Sequence, residues 1–204
     1  MSKIATAVVS SVAVLAFASG ASAVELTTNG GFELGNTSGW SYFPTATSTF
    51  NITGDAASGA FAAEVFNNSA ASAAVVKQAN MGVGIVNPGD MVMISFAAKG
   101  SFAAGGVAFA EFFSEIDGGG VSNSILLGGA PLALTDSYQT FQFMVAAGAN
   151  VTGGITLQFA AVTGADTGSV AVLFIDDVSV TAVPTPAASA LLGLAGLVAV
   201  RRRR

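Results

Sequence analysis

The chain of 204 residues contains no cysteine and no histidine. Without cysteine it can form no disulfide, thiol nucleophile or thiolate metal site; without histidine it lacks the base of the usual hydrolytic triads and the commonest zinc ligand. Positive charge is scarce too, with 7 Lys and Arg against 12 Asp and Glu. Lys3 and Arg201 to Arg204 lie near the two ends, so only Lys77 and Lys99 remain in between. All acidic residues fall between Val24 and Ala182, and the formal charge of that stretch is 2 − 12 = −10. A body with only two cations against twelve anions has too little positive charge to neutralise phosphates, which excludes nucleic acid, and it is repelled by anionic membrane surfaces. No Gly-Lys-Ser/Thr phosphate loop is present, which removes the common nucleotide-binding motif. The chain has one Trp and two Tyr beside 15 Phe. It is therefore poor in the amphipathic rings that usually stack on sugars.

What is there begins with the ends. Lys3 precedes an apolar run from Ile4 to Phe17, and Ala21-Ser22-Ala23 supplies a small-x-small pattern. These are the three parts of a secretory signal, so residues 1–23 are expected to form a signal helix that signal peptidase removes after Ala21-Ser22-Ala23, leaving Val24 first. The run is shorter than the roughly 20 residues a bilayer core requires, which argues against a permanent anchor. At the other end, Val183-Pro184-Thr185-Pro186 leads into the uncharged stretch Ala187 to Val200 and then Arg201, Arg202, Arg203 and Arg204. As a helix at about 1.5 Å per residue that stretch reaches about 21 Å, a marginal span, with the arginines on the cytoplasmic side.

This order resembles the PEP-CTERM sorting signal of Gram-negative bacteria: Val-Pro-x-Pro, a hydrophobic helix rich in Leu, Gly and Ala, and a terminal arginine cluster. The resemblance implies an exosortase as partner, transient inner-membrane anchoring, and removal of the 183–204 tail near Pro184 and Pro186. It also implies release to the cell surface or extracellular matrix. Thr185 stands where the family pattern has Glu, which leaves the point of cleavage open.

The stretch 24–182 is long enough for one domain with its own core. Apolar and polar residues alternate in Met91 to Phe96, Val107 to Phe113, Tyr138 to Met144, Ile155 to Phe159 and Val170 to Val180. Turn-forming clusters separate them, among them Asn87-Pro88-Gly89-Asp90 and Asp117-Gly118-Gly119-Gly120. Period-two patterning with such punctuation predicts about ten short strands in an all-β, two-sheet antiparallel sandwich. The Ala-rich stretch from Ala56 to Ala79 has helical propensity, but Ser58-Gly59 and Asn67-Asn68-Ser69 interrupt it, so two strands are expected there. Gly100 is read as ending the strand that passes through Ser95 to Lys99.

Three landmarks sharpen the fold: Asn29-Gly30-Gly31-Phe32-Glu33 followed by Gly39-Trp40, Ser58-Gly59 before a strand at Ala60 to Val65, and Phe174-Ile175-Asp176-Asp177-Val178 near the end. Their order resembles the jelly-roll carbohydrate-binding modules found beside bacterial glycoside hydrolases. That resemblance implies a structural calcium where the first and last strands meet, held by the Glu33 side chain, the Gly31 carbonyl and the Asp176 side chain. Carbonyls within Asp55 to Ser58 would complete it. Calcium takes six to eight oxygens of this mixed kind. Solvated or turn-capping roles for Asp176 and Asp177 are the alternative.

Trp40 is expected in the core. Tyr42 and Tyr138 are then the candidates for stacking on a sugar, since a tyrosine can expose a ring face while its hydroxyl stays hydrated. The phenylalanines mostly occupy alternating strand positions, as a core requires. Glu111 and Glu115 would share one face of a strand about 13 Å apart, too far for a glycosidase pair unless a bulge intervenes, so no catalysis is expected. Two functions remain open: a polysaccharide-binding protein held in the extracellular polymer, and a structural or adhesive surface protein that binds no sugar.

Overall fold

The computed structural model describes residues 22–183. Ala21, Pro184, Pro186 and Arg201 to Arg204, with the expected signal and tail helices, lie outside these residues, while Ala23 lies within them at an exposed position. Among the described residues no helix is long and apolar enough to cross a membrane.

Among the described residues eleven strands form: β1 (Val24–Glu25), β2 (Ser41–Phe43), β3 (Thr49–Thr53), β4 (Ala62–Asn67), β5 (Ala73–Met81), β6 (Met91–Ala103), β7 (Val107–Glu115), β8 (Val121–Leu126), β9 (Gln139–Ala146), β10 (Ile155–Val162) and β11 (Val170–Val183). The six-stranded sheet runs β3-β4-β11-β6-β9 with β1 added beside β11, and the five-stranded sheet runs β2-β5-β10-β7-β8. Every pairing is antiparallel. Alternation places one face of each sheet inward. In β7, Ala108, Ala110, Phe112 and Ser114 are buried while the residues between them are half-buried, as a strand between core and solvent requires. Two strands, β4 and β5, occupy the Ala-rich stretch, as its interruptions predict.

Phe96, Phe112, Phe159, Leu157, Leu173 and Ile175 fill the space between the sheets. Burying a large apolar side chain contributes about 1.5–3 kcal/mol. Trp40 belongs to this core as expected: it is 8% exposed, its ring lies 5.4 Å from Phe32 and 6.1 Å from Phe159, and its indole N–H donates to the Asn29 carbonyl at 3.3 Å. Gly100 does not end a strand. It lies inside the 13-residue β6, opposite Leu173, where an added Cβ would meet the Val172 carbonyl oxygen at 2.7 Å. A glycine in a strand interior often marks a close backbone approach.

Candidate functional site

Two polar regions stand out from the apolar body, one on each sheet. The first is a carboxylate corner on the six-stranded sheet. The β6–β11 register shifts between Asp176 and Ser179, and Asp177 takes a left-handed φ of 49° there. The loop after β1 presses onto this bulge: the Val178 N–H donates to the Gly30 carbonyl at 3.0 Å, and a Cβ on Gly30 would lie 1.9 Å from the Val178 oxygen. Only glycine fits that approach. The contact brings Gly31 and Glu33 to Asp176 and Asp177, as the sequence landmarks imply. A Cβ built on Gly31 would lie 3.8 Å from Asp177 Oδ1, 3.9 Å from Asp176 Oδ1 and 3.8 Å from Glu33 Cγ.

The 57–61 segment closes the corner with its backbone. Asp176 is fully buried; its Oδ2 accepts from the Ala57 and Ser58 N–H groups at 2.8 and 3.1 Å, and its Oδ1 from the Asp177 N–H at 2.7 Å. Glu33 accepts from the Ala60 and Phe61 N–H groups at 3.0 and 3.1 Å, and Asp177 from the Ser58 hydroxyl at 2.7 Å. Burial pushes the Asp176 carboxyl above its ordinary pKa. The three N–H bonds oppose this and the Asp177 charge adds to it. Beside the corner, Lys99 pairs with Asp55 at 2.5 Å and sits 4.9 Å from the ring centres of both Tyr138 and Phe174. The Tyr138 hydroxyl donates to the Asp55 carbonyl at 2.6 Å. Burial and the charges of Asp55, Asp176 and Asp177 drive its pKa far above the usual range, so it remains a donor.

The fit of this corner to calcium rests on its donor chemistry. All its donors are hard oxygens, and a raised Asp176 beside Asp177 is the electrostatic situation a cation relieves. Lone-pair counting leaves one site on Asp176 Oδ1 and one on Glu33 Oε2 beyond the N–H bonds. Among the described residues no group of three or more acidic side chains is arranged to hold a metal, so backbone carbonyls would have to supply the remaining ligands.

The second region is the outer face of the five-stranded sheet. Residues directly opposite on paired strands share a face, so the register can be read across it. One row runs Phe43–Val75–Ala160–Phe109 and the next Ser41–Lys77–Gln158–Glu111–Leu126. A third places Thr156 beside Phe113 and Ser124. Small residues floor the middle, and Phe43, 49% exposed, stands at one side with Phe109 and Phe113 at the other. Phe43 and Phe109 are three strand spacings apart, about 14 Å. Between the aromatic sides lies the polar row. Gln158 donates from Nε2 to Glu111 Oε2 at 2.8 Å, and Lys77 Nζ sits 4.9 Å from the centre of the Phe43 ring. Lys77, Phe113, Glu115, Gly120, Val121 and Gln158 line a cavity of about 260 Å³ here. Among the described residues the Gln158 carbonyl, the second Glu111 oxygen and the Glu115 carboxylate have no protein hydrogen-bond partner.

Neither tyrosine belongs to this face. Tyr42 pairs with Val76 on the inward side, its ring 5.6 Å from Phe50 and its hydroxyl donating to Ser48 at 2.6 Å. Tyr138 lies beside the corner under Lys99. The assignment of the phenylalanines to the core therefore needs correction for Phe43, Phe109 and Phe113. The signal for it was in the sequence: Phe112 and Phe113 are adjacent in a strand and must face opposite sides. Glu111 and Glu115 do share the outer face of β7, as the spacing predicts.

No protein-family model matches this chain, and no curated protein matches it in sequence. Solved structures do match its fold. The CBM22-1 xylan-binding domain of Paenibacillus barcinonensis Xyn10C aligns with a TM-score of 0.55 at 15% identity, covering 79% of this chain and 94% of that one. The Stig cyclase Fisc from Fischerella sp. TAU aligns with a TM-score of 0.56 at 18% identity, covering 80% and 100%. The enzymatically active domain of bacteriophage CBA120 tailspike protein 4 aligns with a TM-score of 0.58 at 15% identity, covering 78% of this chain but only 21% of that one. At these identities the likeness establishes architecture: the chain carries a β-sandwich of the kind found in carbohydrate-binding modules.

Proposed function

We propose that this is a non-catalytic polysaccharide-binding protein, exported and sorted to the cell surface or extracellular matrix, that holds its ligand on the outer face of the five-stranded sheet. The observation that carries the reading is the polar row Lys77–Gln158–Glu111 lying between the exposed Phe43 and the half-buried Phe109 and Phe113. Aromatic faces stack on the apolar faces of sugars, and the unengaged donors and acceptors in the row suit hydroxyl groups. The approximately 13 Å strand separation of Glu111 and Glu115 supports the absence of glycosidase chemistry. Calcium at the carboxylate corner is part of the proposal. When bound it would neutralise Asp176 and Glu33 and tie the loop after β1 to the 57–61 segment; the chain's own residues hold the ligand elsewhere.

Retention of the full chain on insoluble polysaccharides, xylan and β-glucan among them, tests the binding reading. Phe43→Ala and Phe113→Ala should each lose most of the retention while remaining folded, and Tyr42→Phe should keep it. A wild-type chain retained on no glycan would leave the alternative, a structural or adhesive surface protein, which the lack of Trp and Tyr on this face favours. Export and sorting rest on the sequences of residues 1–23 and 183–204, with signal peptidase and exosortase as partners. Deleting Arg201 to Arg204 should leave an untrimmed or mislocalised chain on fractionation, because the positive end orients the tail. Normal release of that variant would overturn the sorting proposal.

A further inference from the structure

Resting on that reading of the groove, we propose that its ligand is a polysaccharide carrying free amino groups, a cationic deacetylated hexosamine chain, rather than a neutral or uronate polymer. The charge left over on the binding face points this way. Glu111 and Glu115 stand on the same face of β7 with Phe113 between them, and Glu115 lines the cavity beside Phe113. Among the described residues the ion pair is Lys99–Asp55, on the opposite sheet, so neither glutamate has a cationic partner. Lys77, the one cation of the face, is set over the Phe43 ring and offsets a single charge. A polyanion would meet two carboxylates here and a body of formal charge 2 − 12 = −10 behind them.

A chain of amino sugars meets the reverse situation. Its pyranose faces can lie on Phe113 and Phe43 while an ammonium donates to the free oxygen of Glu111 or to Glu115. The Gln158 carbonyl remains for a hydroxyl. Charge-assisted hydrogen bonds of this kind are roughly twice as strong as neutral ones, and the acidic body adds attraction over a distance set by ionic strength.

The experiment compares two oligosaccharide series of equal length and linkage, chitosan oligomers and their fully N-acetylated counterparts, binding to the full chain, with polygalacturonate as a third arm. The wild-type chain should bind the deacetylated series about tenfold more tightly at about 0.01 M salt, with most of the advantage gone at about 1 M. Glu111→Gln with Glu115→Gln should bring the two series together. Equal affinity for both series in the wild type, or tighter binding of polygalacturonate, overturns the amino-sugar assignment and leaves a polysaccharide groove standing. An undiminished preference in the double variant overturns it as well, since diffuse attraction to the acidic body would then be the cause. Binding of no series overturns the amino-sugar assignment too, and the groove reading then stands or falls on retention by xylan and β-glucan.

Discussion

The carboxylate corner and the sheet groove use the same residue types to opposite ends. At the corner each charge is engaged within the fold: Asp176 takes three backbone N–H groups, Glu33 takes two, and Lys99 lies between two rings with Asp55 on its ammonium. In the groove Gln158 and Glu111 hold each other through one bond, and most of the remaining polar atoms have no protein partner. The buried Asp176 must be satisfied internally, whereas the half-buried Gln158 and Glu111 can be served by water until a ligand arrives. The difference therefore separates a region that makes the fold from one that can be used by it. It also explains why the residues that fix the jelly-roll ends are not those that would touch a sugar.

The largest expected effect breaks the corner. Asp176→Ala removes the buried carboxylate that accepts from the Ala57, Ser58 and Asp177 N–H groups, and a hydrogen bond to a charged group contributes about 1.5–3 kcal/mol. The total loss should be roughly 3 kcal/mol, a large share of the roughly 5–15 kcal/mol of a typical domain, and visible as a lower urea midpoint at unchanged slope. Lys77→Ala in the groove should change stability by less than about 0.5 kcal/mol. Calcium sharpens the contrast: the wild type should melt higher with calcium than with chelator, since an ion bound only by the folded state stabilises it, and Asp176→Ala should abolish the difference. Identical wild-type melting curves in the two conditions would remove the ion from the corner. Similar losses for Asp176→Ala and Lys77→Ala would erase the distinction between the regions.

Much of the fold was legible because alternation and punctuation agree. Val107 to Phe113 and Ile155 to Phe159 read as strands, and the Gly and Asn interruptions split the Ala-rich stretch correctly. The corner was legible through its landmarks, since Gly30-Gly31, Glu33 and Asp176-Asp177 do meet. Short strands such as β1 and β8 were not, because two residues, or the polar Val121-Ser122-Asn123-Ser124, carry too little pattern to register. The groove escaped for another reason. Sequence gives the alternation of a strand but not which alternate set faces the partner sheet, so Phe109 and Phe113 looked like core, and the tyrosines, chosen for their chemistry, proved to be packed against Phe50 and Lys99.

A smaller effect tests how completely the six-stranded sheet engages its charges, and it runs through Glu25. This carboxylate joins β1 to β11: its Oε1 accepts from the Thr27 and Val180 N–H groups at 2.8 and 3.0 Å, and Ser179 donates to Oε2. Partial burial alone would raise its pKa, but the bonds from Ser179, Thr27 and Val180 outweigh that and hold it below the ordinary value. Asp176 is shifted the other way, upward, by burial. The two therefore respond oppositely to acid. Glu25 stabilises the fold fully above its unfolded pKa, about 4.3, and loses that contribution as pH falls through the lower folded value. Asp176 binds its proton more tightly when folded, so between its unfolded pKa of about 3.9 and its higher folded value a falling pH favours the fold. Glu25→Gln should then cost roughly 0.5–1 kcal/mol at neutral pH, allowing for solvent screening of an exposed group. Chemical denaturation at a series of pH values should show that deficit closing as pH falls below the ordinary glutamate range, where the wild-type carboxylate itself takes up a proton. A deficit constant from neutral pH into acid would mean that the shape of the side chain, and not its charge, joins β1 to the sheet.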